Sequence, residues 1–228
     1  MLHLSLNMKL RIPNKGNLQP LNFEYIDETI DQYYRPIQGY FMRKRLSLAL
    51  DILSAQPNRK VKRLLDVGYG GGTFIPALAR LATRIYGIDL HDKMAVVRKI
   101  LRKEKVHATL SKDSILKTKF PAFFFDRIVC ISVMEHFKGK ELDQACKEMK
   151  RILAPRGIAV LGFPTKNIVS NFIIKHILKF TPDEIHPSGH RQILDAIKKY
   201  FPTSRVTAYP PFLPMELALY VVVKASKT

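Results

Sequence analysis

The sequence predicts a doubly wound α/β fold in which seven strands form a mostly parallel sheet, preceded by N-terminal helices. Three observations support this prediction. Strand-like and helix-like segments alternate from residue 57 onward, and the first strand, at 61–67, enters a glycine cluster. The last two strands, at 204–209 and 215–224, are joined by a proline-rich link too short for a crossover helix. One C-terminal strand is therefore expected to run antiparallel to its neighbours.

The N-terminal part is predicted to be helical. Residues 22–55 have the pattern of two helices divided near Pro36, since proline suits only the first turn of a helix. The first of these helices is acidic and rich in tyrosine. After the strand at 61–67 and its glycine cluster, the pattern predicts a helix over 73–82.

The middle of the chain continues the alternation. The pattern predicts a strand at 84–90, a basic helix at 92–104 and a short strand at 107–113. Residues 126–134 are predicted to form a strand, since they contain the apolar run 128–131, which is typical of a parallel strand covered on both faces.

The C-terminal part completes the predicted sheet. A helix over 141–153 is expected to end before Pro155, and Arg156-Gly157 is expected to turn the chain into a strand at 158–163. Residues 193–200 are predicted to form the helix that precedes the final hairpin.

The composition is that of a globular protein. Its 228 residues are 46% hydrophobic and include 13 Phe and 9 Tyr, which excludes a disordered chain. Two cysteines, Cys130 and Cys146, are too few for a disulfide framework or a four-thiolate metal site. We find no apolar run long enough for a membrane span and no signal-peptide core near the N-terminus. A cytoplasmic protein is therefore expected.

The net charge of +19 attracts nucleic acids, anionic membranes and acidic ligands. The basic residues are spread along the chain, and the densest run, Lys93 to Lys105, is typical of the solvated face of a helix. A nucleic-acid partner is therefore possible but less favoured. Peripheral contact with a membrane and the oligomeric state stay open.

The glycine cluster, residues 66–73 with the sequence DVGYGGGT, indicates a ligand site. Glycines between a strand and a helix let the backbone approach a ligand closely. A Walker loop would need Lys and Ser or Thr after the last glycine, and a dinucleotide loop would need glycine in place of Thr73. The carboxylate of Asp66 would repel a pyrophosphate but suits a cationic ammonium group.

Polar side chains also follow the second and third strands. Asp89 ends the second strand, where a carboxylate can accept hydrogen bonds from both hydroxyls of a ribose. Asp113 and Ser114 follow the third strand, where they can reach an adenine amino group. A ligand with an amine, a ribose and an adenine but no phosphate is S-adenosylmethionine.

These residues resemble the class I S-adenosylmethionine-dependent methyltransferases, especially the small-molecule type 11 subgroup. The resemblance implies a Rossmann-like fold and an enzyme that methylates a small or lipid-like metabolite. It also implies a single domain over 1–228, with an N-terminal helical cap (1–56), a cofactor-binding core (57–164), an acceptor-side insertion (165–190) and a C-terminal helix and hairpin (191–228). The motifs that carry the resemblance are LLDVGYGGGTF, YGIDL, SKDS, FDRIVCISVMEHF and RILAPRGIAVLGFP.

The resemblance also implies a set of contacts with the cofactor. Asp66 is expected near the methionine amino group, Asp89 at the ribose, and the residues after the fourth strand under the sulfonium. Tyr69 stands where the family usually has Cys or Ser, and it is expected to narrow the carboxylate end. Tyr33 is expected in an N-terminal cap over the cofactor. The predicted contacts are Tyr33, Asp66, Gly68, Tyr69, Gly70, Gly72, Asp89, Leu90, Asp113, Ser114, Ile131 and Ser132.

Three histidines, His136, His186 and His190, are the candidates for a catalytic base or a contact with the acceptor. A base is needed only if the methylated group carries a proton. For His136, packing or lining of the cofactor pocket is the alternative. No carboxylate spacing near these histidines completes a metal site, so no metal is expected.

The acceptor-side insertion contains a predicted helix over 167–180 with an apolar stripe. This stripe could pack on the domain, cover a lipophilic acceptor or touch a membrane. Three other functions remain alternatives: a nucleic-acid methyltransferase, a non-catalytic cofactor-binding protein and a nicotinamide-dependent oxidoreductase. The first lacks the Asn/Asp-Pro-Pro-Tyr/Phe motif after the fourth strand, and Thr73 disfavours the third.

Overall fold

The protein is described here by a computed structural model, which covers residues 8–18, 30–55, 60–167, 170–171 and 187–227. The helices of this part are α1 (Pro36–Leu53), α2 (Ile75–Leu78), α3 (Met94–Lys103), α4 (Lys140–Ile152) and α5 (His190–Tyr200), with 3-10 turns at Lys15–Asn17 and Met134–His136. The strands are β1 (Val61–Val67), β2 (Ala82–Asp89), β3 (Thr109–Lys112), β4 (Phe125–Ile131), β5 (Leu153–Pro164), β6 (Arg205–Tyr209) and β7 (Tyr220–Ser226).

The seven strands form one sheet in the order β3-β2-β1-β4-β5-β7-β6. Strand β7 runs antiparallel to β5 and to β6, and the other pairs of neighbours are parallel. The predicted fold class and the single reversed strand are confirmed. The strand order reverses between β1 and β4. The connections that leave these two strands therefore run in opposite directions and open a crevice at their carboxyl ends.

Each face of the sheet carries its own apolar core, because successive side chains of a strand point to opposite faces. Leu64 packs on one face together with α1, α2 and α3. Its neighbour Leu65 packs on the other face together with α4 and α5. Both leucines are fully buried, as expected for a strand at the centre of a doubly covered parallel sheet.

Several element boundaries differ from the predicted ones. The helix expected over 73–82 is confined to Ile75–Leu78, because Ala82 already belongs to β2 and pairs with Val61. Strand β4 ends at Ile131, since Ser132 adopts a left-handed backbone conformation with a φ of 57°. Strand β7 begins at Tyr220 rather than at 215, so a ten-residue loop, 210–219, joins it to β6.

The predicted turn at Arg156-Gly157 lies inside β5, where it forms an irregularity of the strand. The register of β5 against β4 shifts there, and Arg156 has a φ of 60°. The amide of Arg156 donates to the carbonyl of Lys227 (3.1 Å), and the amide of Lys227 donates to the carbonyl of Gly157 (3.0 Å). The end of β7 thus satisfies the backbone groups that the shift leaves unpaired, so the chain stays in the sheet.

Two predicted segments cannot be compared with the structure. The first N-terminal helix falls mostly on 22–29, and the insertion helix falls mostly on 172–180, which lie outside the described residues. Within the residues that are described, no helix has both the length and the apolar character needed to cross a bilayer.

Candidate active site

A cavity of about 480 Å³ lies at the carboxyl ends of β1, β2 and β4. Residues of α1 and the residues that flank the 210–219 loop also line it. Its lining contains eleven of the twelve predicted cofactor contacts: Tyr33, Asp66, Gly68, Tyr69, Gly70, Asp89, Leu90, Asp113, Ser114, Ile131 and Ser132.

The glycine cluster forms the loop between β1 and α2 and needs glycine at Gly68. The φ of Gly68 is 73°, and a Cβ atom there would lie 2.3 Å from Cγ2 of Val133. The amide of Gly68 donates to the carbonyl of Ile88 (2.8 Å), which ties the loop to the end of β2. A side chain at this position would push the loop away from the cavity.

Gly72 is the predicted cofactor contact that the cavity lining does not include. Its φ is 75°, and a Cβ atom there would lie 2.8 Å from Cγ1 of Val97 in α3. The cavity therefore gives no geometric support for a direct contact between Gly72 and the cofactor. Glycine is needed at this position because α3 packs directly against the loop.

Asp66 is buried at the end of β1 and faces the cavity. Burial, followed by the negative charge of Asp89, raises the pKa of Asp66 well above its ordinary value. A cation beside this carboxylate would favour its ionised form, so the position suits a positively charged ligand group.

The carboxylate of Asp89 organises the neighbouring loops. Its Oδ2 atom accepts a hydrogen bond from the amide of Gly70 (2.8 Å), and its Oδ1 atom accepts one from the amide of Leu90 (2.7 Å). The side chain remains partly exposed to the cavity. A carboxylate oxygen can accept more than one hydrogen bond, so Asp89 retains acceptor capacity for a ligand.

Asp113 and Ser114 follow β3 and line the same cavity. The amide of Asp113 donates to the carbonyl of Asp89 (3.0 Å), which links the two strand ends. Oδ1 of Asp113 accepts from the amide of Ser114 (2.9 Å). Three strand ends that are adjacent in the sheet thus bring Asp66, Asp89 and Asp113 to one crevice, as the spacing predicted.

Tyr69 packs toward β2. Its ring lies edge-on to His91, with centroids 4.9 Å apart, and a Cβ atom at Gly87 would lie 2.9 Å from its Cδ1 atom. These contacts place the ring beside Asp89 and its loop, and the narrowing of the carboxylate end stays a prediction. In the described part of the chain, the buried hydroxyl of Tyr69 has no hydrogen-bond partner.

His91 is a structural residue of the site that the sequence reasoning missed. Its Nδ1 atom accepts from the amide of Lys93 (3.1 Å), and its Nε2 atom lies 3.0 Å from the carbonyl oxygen of Gly70. Because Nδ1 is the acceptor, Nε2 carries the proton and donates to Gly70. The spacing of His91 two residues after Asp89 was the available signal.

A buried polar cluster between α1 and β4 closes the end of the cavity opposite Asp113. The sequence reasoning identified only part of this cluster. Arg45 of α1 donates from one guanidinium nitrogen to Oγ of Ser132 (2.9 Å) and from the other to the hydroxyl of Tyr33 (3.0 Å). Oγ of Ser132 also lies 3.1 Å from the hydroxyl of Tyr220. No sequence signal distinguished Arg45 from the other basic residues of α1.

Glu135 extends this cluster and lines the cavity. Burial raises the pKa of Glu135 to about 8, although Arg45 and Ser132 act in the opposite direction. Among the described residues, no group is hydrogen-bonded to Oε2 of Glu135 or to Nε of Arg45, and both atoms are buried. Buried polar atoms without partners point to a polar ligand at this end.

The structure separates the three candidate histidines. His136 lines the cavity and is exposed, whereas His186 lies outside the described residues. His190 is not among the residues that line the cavity. Its buried Nδ1 atom accepts a hydrogen bond from the amide of Lys166 (3.0 Å), and burial lowers its pKa. These contacts give His190 a structural role, and its catalytic role stays a prediction.

The described residues contain no cluster of three or more His, Cys, Asp and Glu side chains that could hold a metal ion. Cys130 and Cys146 are both buried and free. Burial raises the pKa of each thiol, which keeps them protonated and unreactive.

Sequence comparisons agree with this geometry. Residues 65–161 match the family model described as "Methyltransferase domain". A ubiquinone biosynthesis O-methyltransferase from Pelagibacter ubique is 28% identical over 160 residues, which cover 67% of this chain and 65% of the relative. A protein of the same name from Colwellia psychrerythraea is 25% identical, with 66% and 63% covered. The chain thus spans less than two thirds of the length of these curated relatives.

Comparisons with solved structures show the fold. The N-methyltransferase NodS from Bradyrhizobium japonicum, in complex with S-adenosyl-L-homocysteine, has a TM-score of 0.62 and 18% identity, covering 82% of this chain and 87% of NodS. A geranyl diphosphate methyltransferase in complex with GPP and sinefungin has a TM-score of 0.64 and 16% identity, covering 82% and 79%.

The sheet order, the loop between β1 and α2, and the matched domain all agree with the resemblance inferred from the sequence motifs. The matched methyltransferase domain supports the predicted enzyme class and cofactor. The chain is similar to the class I S-adenosylmethionine-dependent methyltransferases, and its residues 65–161 match the methyltransferase domain model.

Proposed function

We propose that this protein transfers the methyl group of S-adenosylmethionine to a hydroxyl oxygen of a small, lipid-like acceptor. The observation that carries the proposal is the division of one cavity into two walls. The strand-end wall consists of Asp66, Asp89, Asp113 and Ser114, and the apolar wall consists of Phe41, Met42, Leu46, Leu48 and Leu219.

The strand-end wall fits the cofactor in the order of the strands. Since β3, β2, β1 and β4 are neighbours in that order, Asp113 would face the adenine, Asp89 the ribose and Asp66 the methionine ammonium. Arg45, held beside β4 by Ser132, would face the carboxylate. Four adjacent strands span about 14 Å, so the positive and negative groups are spread along an extended ligand.

The apolar wall suits an acceptor with a hydrocarbon or aromatic part. Its residues come from α1 and from Leu219, the last residue of the loop that precedes β7. Burying apolar ligand surface against them is favourable by about 25 cal/mol per Å². The curated relatives named ubiquinone biosynthesis O-methyltransferase support a lipid-like acceptor and oxygen as the methylated atom.

Methyl transfer to a hydroxyl requires that the reacting atoms be aligned and that one group accept the hydroxyl proton. S-adenosylmethionine supplies an electrophilic methyl group on a sulfonium, for in-line attack by the acceptor oxygen. The two walls would hold the reacting atoms in line and exclude water. His136, exposed at the cavity, is the proposed acceptor of the hydroxyl proton, because a neutral imidazole accepts a proton near neutral pH.

The decisive experiment combines binding with product analysis. Calorimetry with S-adenosyl-L-homocysteine should show binding, and incubation with labelled cofactor and a panel of phenols bearing hydrocarbon tails should give an O-methylated product. Matched amines and short RNAs serve as the competing acceptors. A methylated amine or RNA, or cofactor binding with no product on any acceptor, would contradict the proposal and favour one of the alternative functions.

The base assignment has its own test. His136→Ala should lower kcat by about 100-fold and leave the affinity for S-adenosyl-L-homocysteine within about twofold. The phenol panel above provides the substrate for this test. An equal loss of cofactor affinity would place His136 in the cofactor pocket instead.

A further inference from the structure

The loop that joins β6 to β7 exposes apolar side chains to solvent. Its sequence over 210–219, PPFLPMELAL, contains a single charged residue, Glu216. Phe212 is 82% exposed and Leu217 is 42% exposed. A hairpin needs only two to five connecting residues, so the reversal of the chain does not explain a loop of this length and composition.

The beginning of α1 adds apolar side chains next to this loop. Ile37 is 60% exposed and Tyr40 is 53% exposed. They are three residues apart and therefore lie on one face of the helix. The hydroxyls of Tyr40 and Tyr209 are 2.9 Å apart, so the helix meets the hairpin at the residue immediately before the loop. We call the exposed set Ile37, Tyr40, Phe212 and Leu217 the apolar rim.

The apolar rim adjoins residues that line the cavity. Tyr209, which precedes the loop, and Leu219, its last residue, both line the cavity, as does Phe41, the neighbour of Tyr40. The amide of Leu219 donates to the carbonyl of Tyr209 (2.7 Å), which closes the base of the loop beside the cavity. A molecule that reaches the apolar wall from this side therefore passes the rim.

The charge around the rim is positive. Among the basic residues of 32–50, Arg45 belongs to the buried cluster and Arg35 pairs with Asp31, so the positive charge at the rim comes from Lys44 and from the protein's net charge of +19. The ammonium of Lys44 lies 5.4 Å from the centre of the Tyr209 ring, at the junction of helix and hairpin. Exposed aromatic and aliphatic side chains beside basic residues are the composition of surfaces that bind anionic membranes.

We propose that the apolar rim docks on the surface of an anionic lipid bilayer, with Phe212 and Leu217 in the headgroup region. The cavity mouth would then open toward the bilayer, from which a lipid-like acceptor could enter without crossing water. The entry of an acceptor from the bilayer rests on the proposed function, whereas docking of the rim is measured without acceptor or cofactor.

The test is vesicle flotation at physiological ionic strength. Wild-type protein should float with vesicles of phosphatidylcholine containing about 30% phosphatidylglycerol and much less with phosphatidylcholine alone. The double variant Phe212→Ser with Leu217→Ser should bind the anionic vesicles about tenfold more weakly, because two inserted apolar side chains are lost. Phe123→Ser is the matched control: Phe123 is 56% exposed but precedes β4, at the opposite end of the sheet, and its loss should not change flotation.

Two outcomes would overturn the proposal. The first is equal flotation of the wild type and the double variant. The second is a wild-type dimer that the double variant converts to a monomer, because the rim would then be an interface between two copies of the chain. Binding of S-adenosyl-L-homocysteine by both proteins separates these outcomes from a failure of the proposed function, since the rim lies outside the strand-end wall.

Discussion

The two walls of the cavity are built in different ways. The strand-end wall places each side chain at the end of a parallel strand, so the register of the sheet fixes its position. The apolar wall comes from α1 and from the hairpin region, which pack on β4, β5 and β7. The difference shows that one half of the site is determined by strand order, whereas the other half depends on how a helix docks on the sheet.

The cluster of Arg45, Ser132 and Glu135 lies where the two walls meet. Hydrogen bonds and charge join Arg45 of α1 to Ser132 and Glu135, which follow β4. Variants of each wall, and of the residues between them, therefore measure separately what each wall contributes to binding and stability.

The largest effect is expected at the strand-end wall. Asp89→Ala should weaken binding of S-adenosyl-L-homocysteine by about 100-fold or more, because it removes hydrogen bonds to a charged acceptor that are worth about 1.5–3 kcal/mol each. Calorimetry measures this loss. Asp92→Ala is the matched control, since Asp92 is an exposed carboxylate three residues away.

Asp89 also holds the amides of Gly70 and Leu90, so the loop itself could shift in the alanine variant. Asp89→Asn keeps one acceptor oxygen and separates the two effects. Undiminished affinity in Asp89→Ala, with a folded protein, would contradict the assignment of Asp89 to the ribose.

The next effect concerns stability at the junction. The pKa of Glu135, about 8 in the folded protein, lies above its ordinary value of about 4.3 in the unfolded chain. The folded state therefore binds more protons between these pH values, and the free energy of unfolding should fall as the pH rises from 5 to 8. The loss is at most about 1.4 kcal/mol per pH unit.

Denaturant titrations of the ligand-free protein at several pH values measure this slope. Glu135→Gln keeps the size of the side chain and removes its charge, so its slope should be flatter than that of the wild type. Parallel curves for the two proteins would show that Glu135 does not titrate in this range.

A smaller effect is expected from Arg45→Met, which removes the guanidinium but keeps much of the side-chain volume. Affinity for S-adenosyl-L-homocysteine should fall by about tenfold, since one charged hydrogen bond is lost. Arg35→Met is the matched control because Arg35 is exposed and pairs with Asp31 at the start of α1. Loss of stability with unchanged affinity would make Arg45 a structural link between the walls.

The smallest effect is expected outside both walls. His190→Ala removes the acceptor of the Lys166 amide and should lower the free energy of unfolding by about 1 kcal/mol. Turnover should change by less than about twofold if the structural role is correct. A large loss of kcat with normal stability would restore the catalytic role that the sequence suggested for His190.

The accuracy of the sequence-based predictions follows the same division. Asp66, Asp89 and Asp113 were identified because a buried parallel strand has a clear apolar pattern and its end is marked by a polar residue. Predicted boundaries were wrong where tertiary contacts override local pattern. The helix expected over 73–82 is shortened because Ala82 pairs with Val61, and Arg156-Gly157 stays in the sheet because Lys227 satisfies its backbone.

The sheet, its reversed strand, the glycine loop and the three carboxylates could be predicted from the sequence, since all of these depend on residues close together in the chain and on periodicity. Three-dimensional contacts were needed to show that Arg45 reaches Ser132 across 87 positions, that His190 is not part of the cavity lining, and that Tyr40 meets Tyr209 at the base of the exposed loop. Contacts of this kind depend on how helices and loops dock on the sheet, and docking leaves no periodic pattern in the sequence.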